Sequence, residues 1–174
     1  MVSNHYPRLT RPPRGSCFLF GVRGVGKSTW AKLNFPGAHR IDLLDEALHQ
    51  SYLADASLFA GEVSRQSPGS WVIVDEVQRL PSLLNEVHHS IEERKLRFLL
   101  LGSSARKLKT AGTNLLAGRA VWKVMFPLVP EELGRDFELE RALGTGTIPL
   151  IWTAEDPRAA LAAYVQLYLR EEIR

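Results

Sequence analysis

Two short stretches of this sequence carry residues whose types and spacing suit chemistry on a phosphate group. The first, residues 21–28, fits the pattern G-x-x-x-x-G-K-[ST]. Its glycines let successive backbone N–H groups curl toward one anion, and Lys27 supplies a mobile positive charge for the outer phosphates. The hydroxyl of Ser28 suits Mg²⁺, which takes oxygen ligands and keeps several waters. We therefore expect phosphate contacts from eight residues of the segment 21–29, all but Val22: Gly21, Arg23, Gly24, Val25, Gly26, Lys27, Ser28 and Thr29.

The flanking sequence agrees with a phosphate-binding loop. The apolar run Cys17–Phe20 directly precedes it and predicts a buried strand. The residues after Ser28 suit a helix whose N-terminus faces the phosphates and favours their charge. Strand, glycine-rich loop and helix thus follow in the order that the motif requires. The alternative is a chance match in an ordinary glycine turn, which the length of the motif and its context disfavour.

The second stretch is four apolar residues, 71–74, followed by Asp75 and Glu76. Such a run predicts a buried parallel strand that delivers two carboxylates at its carboxyl end, where ligands bind in open α/β sheets. With the loop upstream, Asp75 is expected to complete the Mg²⁺ shell. Glu76 is placed to accept a proton from an attacking water. The alternative is a pair of surface acids at a strand end.

A third apolar run, residues 97–101, ends in Gly102, Ser103 and Ser104. A small hydroxyl at that strand tip is suited to hydrogen-bond the γ-phosphate or the attacking water. The alternative is a serine-rich turn that caps the next helix. The residue types do not choose between Ser103 and Ser104.

The remaining pattern predicts alternating strands and helices. Two further strands are expected at residues 39–43 and 120–126, the latter less fully buried. Helices are expected at residues 45–61, 83–91 and 131–143, and from Asp156 onward. Five strands alternating with helices indicate a parallel α/β sheet with right-handed crossovers.

Composition limits the other functions. The chain has 174 residues, a net charge of +3 and a pI of about 9.2, so its basic bias is compatible with nucleic acid but too weak to argue for it. The single cysteine, Cys17, excludes an intramolecular disulfide and is expected to be a small core side chain. No apolar run has the length of a membrane helix, and the start lacks a signal-peptide core, so a cytoplasmic protein is expected.

We expect three segments along the chain. Residues 1–14 form a basic, proline-rich arm that either packs on the domain or contacts DNA or a partner. Residues 15–130 form the phosphate-binding core, and residues 131–174 begin a helical lid. No Gly, Asn or Pro ends the final helix, which favours a piece of a longer protein.

Several motifs together resemble prokaryotic AAA-type ATPases, the group described as an AAA domain followed by a domain of unknown function, DUF4143. The resemblance covers nearly the whole chain from about Arg14. It is carried by residues 21–28 (GVRGVGKS), 75–81 (DEVQRLP), 98–104 (FLLLGSS), 116–119 (LAGR) and 127–133 (PLVPEEL).

This resemblance implies a P-loop NTPase fold of the AAA+ (ASCE) type, with strand order 5-1-4-3-2, and hydrolysis of ATP with Mg²⁺. It implies that Lys27 and Ser28 bind phosphate and Mg²⁺ and that Asp75 completes the metal site. By the same resemblance Glu76 is the base and Ser103 the sensor. Arg119 matches an arginine finger, acting in a neighbour's site after self-association or on its own nucleotide, while a structural salt bridge is the alternative. A DNA-binding portion is implied after Arg174.

Two other functions stay open. A small-molecule or nucleotide kinase has a similar loop and length, but Glu76 directly follows Asp75, and the only candidate for a basic lid is residues 106–109. A module in which nucleotide only fixes the shape of a DNA- or protein-binding surface is motivated by the basic arm and the pI.

Overall fold

The computed structural model describes residues 6–103, 105, 108 and 116–172. By its internal contacts the chain divides into two compact units. One comprises Pro12–Val22 and Lys27–Met125. The other comprises the described part of Met1–Arg11, together with Arg23–Gly26 and Phe126–Arg174.

The first unit is built on a five-stranded sheet in which every pair of neighbours is parallel. The strands are β1 Cys17–Phe20, β2 His39–Asp42, β3 Trp71–Asp75, β4 Arg97–Gly102 and β5 Val121–Val124. Their order is β2-β3-β4-β1-β5, which is the predicted order 5-1-4-3-2 read from the opposite edge. The predicted AAA+ arrangement of the sheet is therefore confirmed.

Helices connect these strands, as parallel pairing requires. They are α1 Lys27–Asn34, α2 Glu46–Ala54, α3 Ala56–Val63 and α4 Leu83–Arg94, with a 3₁₀ helix at Val77–Arg79. The three inner strands are almost wholly buried, as is usual for parallel strands. In contrast, three side chains of the edge strand β5, Val121, Trp122 and Val124, are exposed. The expectation of a less buried fifth strand is met.

The single helix expected over residues 45–61 is wrong, because the chain breaks at Asp55. Asp55 has extended backbone angles, and its carboxylate accepts a hydrogen bond of 2.8 Å from the backbone N–H of Ser57. This is an N-cap, which satisfies a donor that the start of α3 would otherwise leave unpaired. The apolar stripe continues across the break, so periodicity alone does not reveal it.

The second unit contains short helices around a small core of Leu128, Leu133 and Trp152. Its helices are α5 Pro130–Leu133, α6 Leu139–Thr145, α7 Pro149–Trp152 and α8 Pro157–Glu172, with a 3₁₀ helix at Gly134–Asp136. The single helix expected over residues 131–143 is also wrong. Gly134 lies at φ +56°, in the left-handed region that ends a helix readily.

Candidate nucleotide-binding site

The glycine-rich loop lies between β1 and α1, and two of its glycines have backbone conformations that other residues rarely adopt. Gly24 is at φ +77° and Gly26 at φ +94°. Gly24 is also constrained by space, because a Cβ there would lie 2.8 Å from the Cβ of Leu150 in the same unit. The loop therefore requires glycine at both positions, and it leads directly into the N-terminus of α1, where the helix dipole favours an anion.

The Lys27 side chain is buried at the start of α1, with 5% of its surface exposed. Its ammonium donates to the carbonyl of Gly21 at 2.7 Å and to that of Val22 at 3.3 Å. A buried charge needs such partners, and these come from the beginning of its own loop.

The other predicted loop residues differ in exposure. Val25 is fully buried, so its side chain is not available to a ligand. Ser28 is half-buried in the first turn of α1, while Arg23 and Thr29 are exposed.

The carboxylates follow at the tip of β3, where Asp75 is the last strand residue. Glu76 lies at φ 55° and ψ 42°, a left-handed conformation that is uncommon for a residue with a side chain. Its backbone N–H donates to Asp75 Oδ1 at 3.0 Å, and the chain then turns into the 3₁₀ helix Val77–Arg79. Such conformations persist where the surroundings hold them, and they concentrate at functional sites.

The tip of β4 lies between Gly21, where the loop begins, and these carboxylates. β4 pairs with β1 on one side and with β3 on the other. The N–H of Gly21 donates to the carbonyl of Gly102, the last residue of β4, at 3.3 Å. Since neighbouring strands are about 4.8 Å apart, the tips of β1 and β3 are separated by about 10 Å. Lys27, Asp75, Glu76 and Ser103 therefore gather at one edge of the sheet.

Gln78 is a site residue that the sequence reasoning missed. Its side-chain amide nitrogen donates to Ser103 Oγ at 3.0 Å and also to the carboxylate of Glu76. A glutamine two residues after an acidic strand tip carries no signal of its own. Only the fold shows that the strand tips at Glu76 and Ser103 are both within its reach.

Arg119 lies at the amino ends of the parallel strands, opposite the carboxyl ends at which Lys27, Asp75 and Glu76 gather. It precedes β5, whose first residue pairs with the first residue of β1, whereas the phosphate-binding loop follows the last residue of β1. Four strand residues, or about 13 Å, separate the two levels. The guanidinium of Arg119 pairs with the carboxylate of Glu92 near the end of α4 and also donates to the carbonyl of Ala117 at 3.1 Å. The structure does not bring Arg119 together with the end of β1, where the loop of its own chain begins.

The basic arm makes defined contacts within the second unit. The Arg8 side chain is 10% exposed and lies 3.2 Å from the carboxylate of Glu132, which is 4% exposed. Arg8 also donates to the carbonyl of Val25 at 3.2 Å, and the N–H of Leu9 donates to Glu132 at 2.7 Å. Burial lowers the pKa of the Arg8 guanidinium from its ordinary value, while the charge of Glu132 opposes that shift.

Four residues considered in the sequence lie outside the described ranges: Ser104, Arg106, Lys107 and Lys109. In the described ranges, no helix is long and apolar enough to cross a membrane.

The described ranges also contain no cluster of three or more His, Cys, Asp or Glu residues that would hold a metal ion. Mg²⁺ does not need such a cluster, because it is commonly held by one or two protein oxygens together with phosphates and waters. The hydroxyl of Ser28 and the carboxylate of Asp75 fit that requirement.

The strand order, the loop after β1 and the acidic tip of β3 define a P-loop NTPase of the AAA+ class. The sequence profile of an AAA domain family, AAA_14, matches residues 13–134, well over half of the chain. The chain belongs to this AAA domain family, and the resemblance to prokaryotic AAA+ ATPases is confirmed. No curated protein matches the sequence.

Three solved structures show the same fold. The ORC1 protein of Aeropyrum pernix, in complex with DNA, has a TM-score of 0.53 at 17% identity, and the match covers 92% of this chain and 56% of that one. The ORC2 protein of the same organism, in its ADP form, has a TM-score of 0.50 at 15% identity and coverages of 91% and 57%. A signal transduction ATPase with numerous domains (STAND) from Pyrococcus horikoshii, with a tetratricopeptide repeat sensor, gives 0.50 at 15% identity and coverages of 93% and 33%. The chain thus spans between a third and three-fifths of the length of these proteins.

Proposed function

We propose that this chain binds ATP with Mg²⁺ and hydrolyses it to ADP and phosphate. The observation that carries the proposal is the gathering of Lys27 and the Asp75–Glu76 pair at one edge of the sheet, on either side of β4. An ammonium for the phosphates, oxygen ligands for the metal and a carboxylate for the water are the groups that phosphoryl transfer to water requires. Membership of an AAA domain family supports ATPase chemistry in general.

The loop and α1 account for binding in this proposal. Backbone N–H groups of residues 21–28 and the N-terminus of α1 hold the phosphates, with Arg23 and Thr29 at the exposed margin. Lys27 exchanges its contacts with the loop carbonyls for the outer phosphates. Ser28 and Asp75 are the residues that would hold Mg²⁺, which neutralises charge on the phosphate oxygens when bound. In the same proposal residues 15–130 form the nucleotide core and residues 131–174 begin a helical lid.

The reaction itself is a displacement at the γ-phosphorus. The oxygen of a water molecule forms a bond to phosphorus while the bond to the β–γ bridging oxygen breaks, and ADP leaves with that electron pair. Glu76 accepts the proton that the water loses, and Ser103 is positioned to hydrogen-bond the γ-phosphate or the water. Positioning and electrostatics supply most of the catalysis in such reactions.

A second copy of the chain is the proposed partner. Arg119 lies at the amino ends of the strands, opposite the end of β1 where its own loop begins, so in this proposal it serves the nucleotide of a neighbouring copy. An arginine supplied in this way contributes about 10³–10⁵ in rate. A DNA contact through residues beyond Arg174 stays a prediction of the resemblance.

The experiment that tests this function measures nucleotide binding and free phosphate in parallel. We expect the wild-type chain to bind ATP and to release inorganic phosphate when Mg²⁺ is present. We expect Lys27→Ala, in which the loop is altered, to lose ATP binding. ADP formation without free phosphate, in the presence of a phosphate acceptor, would favour a kinase. ATP binding with neither product would favour a module in which nucleotide only fixes a shape.

A further inference from the structure

The side chain of Gln78 connects two strand tips of the candidate site. It lies half-buried on the 3₁₀ helix Val77–Arg79. Its amide nitrogen donates to the carboxylate of Glu76 at the tip of β3 and to the hydroxyl of Ser103 at the tip of β4, the latter at 3.0 Å. One NH₂ group has two hydrogens, so a single side chain satisfies both acceptors.

The chemistry of the contacts fixes the orientation of this amide. With the nitrogen toward Glu76 and Ser103, each contact joins a donor to an acceptor. Reversing the amide would place its carbonyl oxygen against the carboxylate, where two acceptors repel each other. In the observed orientation Gln78 Oε1 is buried and has no hydrogen-bond partner among the described residues. An unpaired buried acceptor costs stability. The side chain nevertheless stays in this position, because the two hydrogen bonds from its nitrogen offset that cost.

Gly102 leaves the room that Gln78 occupies. A Cβ at Gly102 would lie 2.7 Å from Gln78 Oε1, closer than such atoms approach. The backbone of Gly102 is not in the left-handed region, so its requirement for glycine is one of space. Two adjacent residues therefore accommodate the Gln78 side chain. Gly102, the last residue of β4, leaves space for it, and Ser103 accepts its hydrogen bond.

We propose that Gln78 is a positioning residue for ATP hydrolysis. It holds the Glu76 carboxylate at a fixed position relative to the hydroxyl of Ser103. The inference rests on the proposed ATPase function. A glutamate side chain has several rotatable bonds, and the left-handed backbone of Glu76 alone does not fix where its carboxylate points. The bond from Gln78 fixes that position relative to the tip of β4. In this inference Gln78 acts through the base and the sensor, both of which its amide contacts.

The kinetic test compares Gln78→Ala with the wild-type chain. Since a displacement of about 1 Å can cost about 100-fold in rate, we expect kcat to fall by about 10–100-fold. KM and the dissociation constant for ATP should stay within about twofold, because the loop and Lys27 are untouched. Gln166→Ala, which removes an exposed glutamine from α8, is the matched control and should leave kcat unchanged.

Two further variants separate positioning from folding. Gln78→Asn keeps the amide but is one methylene shorter, so it reaches only one of the two acceptors and should recover only part of kcat. Gly102→Ala keeps Gln78 but displaces its side chain, so it should reproduce the loss of kcat with ATP affinity retained. Wild-type kcat in Gln78→Ala would overturn the inference.

A measurement that does not depend on turnover uses the side-chain amide of Gln78 in the ¹⁵N-labelled chain. Its NMR signals are identified by their loss in Gln78→Ala, among those of Gln50, Gln66 and Gln166. We expect them to move in Glu76→Gln and again in Ser103→Ala, since each change alters one acceptor. Signals that are unmoved in both variants would overturn the role of Gln78 alone. Absence of phosphate release by the wild-type chain would instead overturn the proposed function.

Discussion

The ammonium of Lys27 lies 2.7 Å from the carbonyl oxygen of Gly21, the residue at which its own loop begins. A second contact, at 3.3 Å, joins it to the carbonyl of Val22. The side chain is almost fully buried, so its charge is anchored to the loop backbone. Lys27 therefore stabilises the loop that is proposed to bind the phosphates. Removing its charge should weaken both the loop conformation and the binding of phosphate.

Lys27→Ala should weaken the binding of ATP by at least about 100-fold, because a charge-assisted contact to phosphate is lost. Titration with a fluorescent ATP analogue measures this directly. Lys32→Ala is the control, since Lys32 is exposed on the same helix. Unchanged affinity in Lys27→Ala would show that the nucleotide binds elsewhere.

Arg119 provides a test of self-association. If it serves a neighbour's site, Arg119→Ala and Glu76→Gln should each be nearly inactive, whereas an equimolar mixture should regain part of the wild-type turnover. In mixed assemblies, a chain with an intact Glu76 receives the intact Arg119 of the other variant. Specific activity of the wild-type chain should also rise with its concentration. A mixture as inactive as its components would leave Arg119 as the structural partner of Glu92.

The buried pair of Arg8 and Glu132 should contribute strongly to stability. Removing one member leaves the other charge buried without its partner, so Arg8→Ala should lower the free energy of unfolding by about 3 kcal/mol. Arg14→Ala, at an exposed arginine of the same arm, should cost little. Urea denaturation followed by circular dichroism compares the free energies of unfolding of the two variants. Equal losses would contradict a stabilising role for the buried pair of Arg8 and Glu132.

Tyr52 should make stability depend on pH through Glu62. Burial raises the pKa of Glu62, but hydrogen bonds from Tyr52 and His39 outweigh it and hold the pKa below its ordinary value of 4.5. The stabilisation is therefore present above pH 4.5 and is lost as the pH falls through the pKa of the folded state. Tyr52→Phe removes the 2.5 Å hydrogen bond and should cost about 1–2 kcal/mol at pH 7. Unfolding curves of both proteins at pH 7 and pH 3 should show this difference shrink, and a difference independent of pH would contradict it.

Much of the fold was predictable, because strong local signals marked the three inner strands. The apolar runs of β1, β3 and β4 contrast sharply with their flanking turns, and the resemblance supplied the strand order. The helix boundaries were less predictable. The break at Asp55 depends on a capping hydrogen bond, and the early end of α5 depends on a left-handed glycine. Neither interrupts the hydrophobic pattern.

For the site, the sequence predicted which residues lie at the strand tips, since parallel strands share a carboxyl edge. It could not place Arg119 relative to the loop, because that required the register of β5 against β1. It also did not reveal Gln78, whose contact with Ser103 joins residues 25 positions apart. Contacts of this kind arise from packing, and the residue types alone do not signal them.

The most direct test of the account incubates ATP and Mg²⁺ with the wild-type chain and with Glu76→Gln, at high protein concentration. Released phosphate and the nucleotide retained on the chain are then measured. We expect Glu76→Gln to bind ATP as tightly as the wild-type chain, to release phosphate at least about 100-fold more slowly, and to retain ATP rather than ADP. Phosphate release by Glu76→Gln at the wild-type rate would contradict it.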